Sequence, residues 1–423
     1  MSHDTKDVPF QQQFKLFAGF DWASDHHDVV AVDLDGQIVL ELTIDDTAEG
    51  WATLREKFAK HVGQDLSAVA VAVETNNGPA VERLLAMGCA VYPLNPKVAQ
   101  RYRERKSNAG CKDDRLDAFS FADALRTDGH AWRRLKPDDP LTQELRLLCR
   151  DEIQLIGQRT AFVNQLRAAL REYYPAALEA FDDWTSDGPW AFVQAFPTPQ
   201  ALAAAGKRRW DKFLHANRLY RRETYERRLE IFARADQFCG TPPVTRAKSR
   251  LALTLAAQLR VLEKQLVEYR QSIETLFSQH PDHDLFGSLP GAGPKIAPRL
   301  LGELGNDPSR FDTHESLQCY GGSAPVTRQS GKNRWVSFRR ACNTTLRATL
   351  HHWADKSRDK CAWAQAYYQH KRDHGQSHAA ALRCLANRWV KILWKMWQTH
   401  TLYDEALHTR NQVRHGSWVI QLT

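Results

Sequence analysis

The hydrophobic pattern near the start of the chain predicts three β-strands. Apolar residues alternate with polar ones, or run together, at 15–22, 27–33 and 36–44, and Asp35-Gly36 between the last two segments is typical of a tight turn. Each segment has the length of a strand, and the connections are short. We therefore expect three consecutive antiparallel strands.

The pattern then alternates between helix and strand. Residues 48–61 have helical periodicity, and 67–74, with the sequence SAVAVAVE, form the continuous apolar run of a strand buried on both faces. A further strand is predicted at 89–94 and a further helix at 114–126. Three antiparallel strands followed by alternating units predict an α/β domain with one mixed sheet.

From residue 141 the pattern changes to long helices with apolar seams at heptad spacing. The first seam is interrupted at Glu152 and Arg159 and consists of Leu145, Leu148, Leu155, Phe162, Leu166 and Tyr173. The second has no interruption and consists of Leu255, Leu259, Leu262, Leu266, Tyr269, Ile273 and Leu276. Such seams predict a coiled coil or a helix hairpin, formed within one chain or across subunits.

These patterns divide the chain into five segments. We expect an α/β domain at 1–135, a coiled-coil helix at 136–180, an inserted basic helical subdomain at 181–242, a second coiled-coil helix at 243–280 and a mainly α C-terminal domain at 281–423. Within the inserted subdomain, residues 207–230 hold nine Lys or Arg against four acids. A nucleic-acid-binding surface and an ordinary solvated helix face fit that stretch equally well.

Charge and composition narrow the class of protein. The 58 Lys and Arg exceed the 50 Asp and Glu, which gives a net charge of +8 and suits a polyanionic partner such as nucleic acid. A secretory signal and a membrane span are not expected, because the first residues are polar and no run of about 18 apolar residues occurs. The eight cysteines are scattered without a C-x-x-C pair, so we expect reduced thiols in the cytoplasm.

Four carboxylates form the first candidate site. Asp21 interrupts the first apolar strand, Glu74 ends the buried strand, and Asp114 and Asp117 lie three apart on one helix face. Two Mg²⁺ or Mn²⁺ ions about 4 Å apart require such a set of oxygen ligands for phosphoryl transfer. Each residue alone also has a structural explanation, but an Asp inside a strand is costly if it is buried without a partner.

The C-terminal region has its own basic character. Residues 316–354 contain no Asp or Glu, and their predicted nucleic-acid contacts are Arg328, Lys332, Arg334, Arg339, Arg340 and Arg347. Upstream, the sequence LPGAGPK at 289–295 is similar to a helix-hairpin-helix turn, in which backbone N–H groups bind a phosphate. Gly291, Gly293 and Lys295 are the candidates for that contact.

The order of the acids is that of the RNase H/RuvC fold, and the chain resembles the DEDD transposases, which are insertion-sequence recombinases related to Piv-type DNA invertases. The resemblance is carried by FAGFDWASDHHDVVAVD at 17–33, KDDRLDAFSFADAL at 112–125 and LQCYGGSAPVTRQSGK at 317–332, and also by 70–102 and 285–311. It implies a RuvC-like N-terminal domain with metal ligands at Asp21, Glu74, Asp114 and Asp117, whereas Asp113 is only their neighbour.

The resemblance also implies a catalytic serine in a Ser-Gly pair, which is Ser330 here. A serine oxygen that attacks DNA keeps one end covalently bound and conserves the bond energy for rejoining. Without the resemblance, Ser330 would be an ordinary turn residue, and Ser323 is the rival serine. Arg340-Ala341-Cys342-Asn343 departs from the family's Arg-Gly-Asn element.

By this resemblance the protein is a bacterial, nucleoid-associated transposase. It would cut and rejoin target and donor DNA through a seryl-DNA intermediate, guided by a non-coding bridge RNA, as a homodimer or tetramer. Surface contacts to RNA and DNA are expected at Arg101, Arg103, Arg105 and Lys106. The main alternative is a RuvC-like nuclease that hydrolyses DNA with water; an actin-like ATPase and an inactive nucleic-acid binder fit the sequence less well.

Overall fold

The structure is a computed structural model that describes residues 9–75, 78–94, 96–106 and 114–416. The side chains of three predicted site residues, Arg105, Lys106 and Asp114, lie outside what it describes. The chain forms two compact units, the first ending at Pro137 and the second starting at Asp138.

The first unit contains one mixed five-stranded sheet. Its strands are β1 (Leu16–Trp22), β2 (His26–Val32), β3 (Ile38–Asp45), β4 (Val69–Val73) and β5 (Ala90–Pro93). Its helices are α1 (Ala48–Val62), α2 (Pro79–Ala86), α3 (Pro96–Lys106) and α4 (Asp114–Asp128). The strand order is β3-β2-β1-β4-β5, with β1, β2 and β3 antiparallel and β4 and β5 parallel to β1. The mixed sheet predicted from the sequence is confirmed.

The inner strand β4, next to the central strand β1, explains how this sheet is layered. All five of its residues are buried, because helices cover both faces of the sheet. Val69, Val71 and Val73 belong to the core on the side of α1, where Leu54 and Phe58 are fully buried. The small residues between those valines face the other core, which includes Phe121 of α4.

A glycine sets the distance between β1 and α4. A Cβ atom on Gly19 would overlap the carbonyl oxygen of Ala118, so the helix backbone lies directly against the strand. Gly19 and Asp21 point to the same face of the sheet, since side chains alternate along a strand. The close approach therefore brings α4, with Asp117, over the face that carries Asp21.

The second unit is mostly helical, as predicted. Its elements are α5 (Pro140–Tyr173), α6 (Pro175–Ala180), α7 (Asp187–Ala195), α8 (Pro199–Ala216), α9 (Arg222–Ala233), α10 (Pro242–Gln279), α11 (His283–Gly287), α12 (Gly293–Leu304), α13 (His314–Tyr320), β6 (Val326–Ser330), β7 (Asn333–Ser337), α14 (Thr344–Ser357), α15 (Ala362–Asp373), α16 (His378–Thr399) and α17 (Glu405–Arg414). No helix within the described ranges is both long and apolar enough to cross a membrane.

The two long helices, α5 and α10, pair with each other inside the chain. The two interruptions of the α5 seam contact α10 through ion pairs. Glu152 accepts a 3.1 Å hydrogen bond from Arg270, and Arg159 donates one of 2.7 Å to Glu263. Since the residue numbers fall along one helix as they rise along the other, the pair is antiparallel. The knobs-into-holes packing of a coiled coil stays a prediction.

The segment predicted as an inserted subdomain shares a core with the long helices. Aromatic residues of α7, α8 and α9, including Trp190, Phe192, Trp210 and Phe232, are buried in one cluster with Leu166 of α5 and Leu255 of α10. The ends of α5 and α10 are thus covered by α7–α9. Within 207–212, all four basic side chains are exposed. The two other residues are Trp210, which is buried, and Asp211, which is half-buried.

We expect Gly19→Ala to lower the free energy of unfolding by about 1–3 kcal/mol, because the added methyl group displaces α4 from the sheet. Denaturant midpoints and hydrogen exchange of the β1 and α4 amides in the full chain measure this effect. The control is Gly157→Ala inside α5, where nothing lies within 4 Å of the new methyl group. Alanine should raise stability there by up to about 1 kcal/mol. Unchanged exchange in Gly19→Ala would contradict the close packing.

Candidate active site

Three of the predicted acidic residues approach one edge of the sheet. In the parallel pair of β1 and β4, Phe20 lies opposite Val73, so Asp21 and Glu74 follow at neighbouring strand ends about 5 Å apart. Asp117 reaches the same region from α4, and its side chain is only 7% exposed. The strand register and the Gly19 contact thus bring together residues that are almost a hundred positions apart in sequence.

A single guanidinium group lies between two of these carboxylates. Arg103 of α3 donates a 2.7 Å hydrogen bond from Nη2 to Glu74 Oε2, and its Nε lies 3.1 Å from Asp117 Oδ1 in an ion pair. The guanidinium also lies over the ring of Phe121, 5.4 Å from its centre. Glu74 and Asp117 therefore lie close enough to share one cation.

This position of Arg103 was not expected from the sequence. Arg103 was predicted to contact nucleic acid from the surface, together with Arg101, and helix α3 was not predicted at all. In the structure Arg101 is exposed, whereas Arg103, two residues later, turns towards the acids. Within the described ranges, no group of three or more His, Cys, Asp or Glu side chains is arranged so that it could hold a metal ion.

The structure adds a carboxylate that the sequence reasoning missed. Asp28 of β2 lies directly opposite Asp21 in the antiparallel pair, so both side chains are on one face. Asp28 is buried and accepts a 2.5 Å hydrogen bond from Thr43 Oγ1. A polar residue inside a largely apolar strand was the available signal. The bond from Thr43 gives Asp28 a partner of its own.

The predicted nucleophile lies at the tip of a β-hairpin in the second unit. Ser330, the last residue of β6, pairs with Asn333, the first residue of β7, so Gly331-Lys332 is a two-residue turn. Gly331 has a φ of 56°, which fits glycine at the first position of such a turn. Ser330 and the turn are exposed. A hydroxyl in that position is accessible to a large substrate.

One face of the hairpin joins Ser330 to an aromatic and a basic side chain. Arg328 lies directly opposite Trp335, and both share the face of Ser330, because alternate residues of a strand point the same way. Trp335 is 56% exposed, which is unusual for so large an apolar side chain. From the sequence, the carboxylate-free stretch indicates only positive charge and does not distinguish Trp335. Lys332 and Arg334 are exposed on the same hairpin.

The remaining predicted basic residues differ in their surroundings. Arg339 donates from Nε to the carbonyl oxygen of Ala324 at 3.1 Å, and Arg347 donates to the carbonyl oxygen of Arg339 at 3.3 Å. These two residues therefore hold the base of the hairpin as well as adding positive charge. Arg340 is exposed.

The hairpin is anchored to the helices through Asn343, which the sequence analysis noted only as part of a family departure. Its side chain accepts a hydrogen bond from the Leu346 backbone N–H and caps α14. It also donates a 2.6 Å bond to Glu303, a buried residue of α12 that binds Arg150 through both of its oxygens. The bond to Glu303 raises the pKa of Arg150, so its guanidinium stays charged.

The glycine turn before α12 has a packing role. A Cβ atom on Gly291 would collide with the backbone of Lys356 and Ser357 at the end of α14, and Pro290 accepts a hydrogen bond from the Trp353 indole. Gly293 and Lys295 are exposed at the start of α12. Packing alone thus accounts for Gly291, and the phosphate contact of the three residues stays a prediction.

Comparison with known families follows the same division of the chain. The family model for DEDD transposases of the IS110 type, whose description is transposase, matches residues 18–175. This range includes all four predicted metal-binding acids. The model described as the transposase IS116/IS110/IS902 family matches residues 283–369, which include Ser330 and its hairpin.

Whole proteins of this type are similar along nearly their full length. The chain is 35% identical to the mini-circle putative transposase for IS117 from Streptomyces coelicolor, over 94% of this chain and 97% of that protein. It is 28% identical to an uncharacterized 44.8 kDa protein of insertion element IS116 from Streptomyces clavuligerus, over 93% and 97%. It is 21% identical to the transposase for insertion sequence element IS1111A from Coxiella burnetii, over 89% and 91%. The chain therefore belongs to the IS110 family of transposases and is a DNA-cleaving recombinase.

Proposed function

We propose that this transposase cuts and rejoins DNA through a covalent bond to Ser330, with divalent metal ions held by the acids of the first unit. The observation that carries the proposal is the convergence of Glu74 and Asp117, from two different elements, on one positive charge. Two neighbouring carboxylates repel each other, so the pair favours a positive charge between them.

Glu74 and Asp117 have the chemistry to bind a divalent cation, which would take the place of the Arg103 guanidinium. Glu74 and Asp117 are hard oxygen donors, and the guanidinium of Arg103 between them is a stand-in for a bound positive charge. We propose that Asp21, Glu74 and Asp117 hold two Mg²⁺ or Mn²⁺ ions together with Asp114, whose side chain is outside the described residues. When bound, such ions stabilise the attacking and the leaving oxygen of a phosphoryl transfer.

The sheet supports an RNase H/RuvC-like fold for the first unit. Three antiparallel strands continue into two parallel ones in the order β3-β2-β1-β4-β5. In this arrangement the first acid lies on the central strand, the second on its parallel neighbour and the last on the final helix of the unit. That is the layout the sequence predicted for a metal-dependent nuclease or recombinase.

The hairpin supports the covalent step. Ser330 is presented at a turn where a DNA backbone can reach it, and Arg328 and Lys332 are close along the chain to neutralise charge on the attacked phosphate. In the reaction the serine oxygen bonds to phosphorus while the phosphorus–oxygen bond to one strand end breaks, and the proton lost by serine balances the proton taken up by that strand end, which departs as an alcohol. Reversal by another strand end restores the serine and completes the exchange.

The partners follow from the same proposal. Target and donor DNA are the substrates, and the family resemblance adds a non-coding bridge RNA, which the net charge of +8 suits. We also propose a dimer or tetramer, because recombination of two duplexes needs several active sites. The apolar seam of α10 is buried against α5 of the same chain, so it does not itself require a second copy.

The alternative is hydrolysis by a metal-activated water, with Ser330 as a turn residue. The Ser330-Gly331 geometry is compatible with a purely structural turn, since Gly331 has the backbone conformation the hairpin needs. The two mechanisms differ in whether protein becomes covalently attached to DNA.

Ser330→Ala is expected to abolish strand exchange and the covalent protein–DNA adduct, because the attacking oxygen is removed. DNA binding should stay within about 2-fold, since an exposed, uncharged turn residue adds little to backbone affinity. Adducts are measured on denaturing gels with end-labelled DNA, and binding by fluorescence anisotropy.

The matched control is Ser337→Ala. Ser337 is exposed on the same hairpin and the same face, so it loses the same hydroxyl without touching the turn. Ser323→Ala tests the rival serine. A persisting adduct in Ser330→Ala that disappears in Ser323→Ala would assign the nucleophile to Ser323, and cleavage without any adduct in the wild type would favour hydrolysis.

Arg103→Gln is expected to lower the free energy of unfolding by about 1–3 kcal/mol in metal-free buffer, because it removes the ion pair between Arg103 and the nearly buried Asp117. Added Mn²⁺ should restore that stability and bind more tightly than in the wild type, where it competes with the guanidinium. Thermal unfolding with and without Mn²⁺, together with calorimetric titration, measures both effects. At 100 times its dissociation constant, a bound ion adds about 2.7 kcal/mol.

Two variants give this test its controls. Arg101→Gln removes an exposed cation from the same helix and should leave Mn²⁺ binding unchanged. Asp117→Asn should lose the response to Mn²⁺. An identical Mn²⁺ affinity in Arg103→Gln and the wild type would show that the ion does not use Glu74 and Asp117.

A further inference from the structure

A cavity of about 220 Å³ opens at the base of the hairpin. Phe338, the residue directly after β7, lies at its edge, and its inner wall comes from α14 and α16. A cavity of about 150 Å³ is enough for benzene, so this one accommodates a larger planar ring. The apolar part of the lining includes Leu350 and Ala386, and Ser323 and His351 supply polar atoms.

Two arginines meet at this cavity, and within the described part of the chain neither forms an ion pair with an acidic residue. The guanidinium carbons of Arg347 and Arg383 lie 5.0 Å and 5.2 Å from the centre of the Phe338 ring. Among the described residues that line the cavity, none is acidic. Two half-buried positive charges against one ring repel each other, and an anion between them would remove that repulsion. A phosphate matches the planar donor array of arginine.

The histidine beside them is suited to hydrogen bonding rather than to charge. Burial, with the neighbouring His352 and Arg383 adding to it, lowers the pKa of His351 below its usual 6.5. At neutral pH its imidazole is therefore uncharged, with one donor and one acceptor nitrogen. Such a group can bind the polar edge of a heterocycle in the cavity.

We propose that this cavity binds one unpaired nucleotide of the DNA strand, with its base inside the cavity and its phosphate on Arg347 and Arg383. Enzymes that modify a base in DNA take that base out of the stack into a pocket of this kind, at a cost in free energy. The site would hold the strand beside the hairpin, whose tip carries Ser330. Phe338 follows Asn333, the pairing partner of Ser330, by five residues, which span at most about 17 Å. The choice of DNA rests on the proposed function of that hairpin.

The site would give the transposase a contact that acts before any bond is broken. A nucleotide fixed at the base of the hairpin limits how the strand can slide past the tip. It would also favour distorted or single-stranded DNA over an intact duplex, because an unpaired base enters without the cost of unstacking.

The test uses a single-stranded DNA probe of 12 nucleotides with one 2-aminopurine, bound to the full-length chain. In the wild type, the fluorescence of 2-aminopurine should rise on binding as the base leaves its stacked neighbours. Arg383→Met keeps the length of the side chain and removes its charge. It should weaken binding about 10-fold or more and lower the slope of log affinity against log salt by about 0.7.

Two further variants keep the test decisive if Arg383→Met folds poorly. Arg383→Lys restores the charge and should recover the salt slope but only part of the affinity, since lysine cannot hold phosphate with two parallel bonds. Lys395→Ala removes one charge from an exposed position of the same helix that does not line this cavity. Its affinity and salt slope should match those of the wild type.

The possible outcomes separate this proposal from the proposed function. Unchanged affinity and salt slope in Arg383→Met would overturn the nucleotide site, even if Ser330→Ala loses its adduct. A ribonucleotide probe of the same sequence that binds as tightly, and is lost in the same variant, would overturn the assignment to DNA. Normal probe binding by Ser330→Ala with a persisting adduct would leave the cavity proposal standing and remove Ser330 as the nucleophile.

Discussion

The meeting of carboxylates at the edge of the first sheet constrains the unit around it. Two unit charges 4 Å apart repel by about 4 kcal/mol at a protein surface, so Glu74 and Asp117 can lie together only with a cation between them. Arg103 supplies that charge from α3. The arrangement also needs α4 to lie directly on β1, which the absence of a side chain at Gly19 allows. The contact of α4 with β1, the glycine that allows it and the arginine that neutralises the acids therefore depend on one another.

That dependence explains what the sequence could and could not predict. The strands were predictable because alternation and buried runs are local patterns, and β4 carries the strongest of them. The acids could be placed at strand ends for the same reason. The role of Arg103 could not be predicted, because it depends on how far α3 reaches back over the sheet. Nothing in the spacing of Arg101 and Arg103 distinguishes the exposed residue from the one that turns inward.

The second unit shows the same limit in its hairpin. A Ser-Gly pair and a run of basic residues predicted a charged loop, but not two strands whose pairing places Trp335 opposite Arg328. An isolated two-stranded hairpin is only marginally stable in water, and this one is exposed along almost its whole length. Its order therefore depends on its base, where Arg339 and Arg347 bind backbone carbonyl oxygens. Contacts between residues far apart in number decide that geometry.

The ion pairs of the long helices extend this support to the hairpin. Glu152 interrupts the apolar seam of α5, and its two partners lie on α10 and α12. Two residues before it on α5, Arg150 binds Glu303 of α12, and Glu303 binds Asn343, which caps the helix that follows the hairpin. A buried charge that loses its partner is strongly destabilising, so each pair accepts only one register of its helices. The interruptions that weaken the seam as a hydrophobic pattern thus fix the alignment of α5, α10, α12 and α14. The position of Ser330 relative to the helical core follows from that alignment.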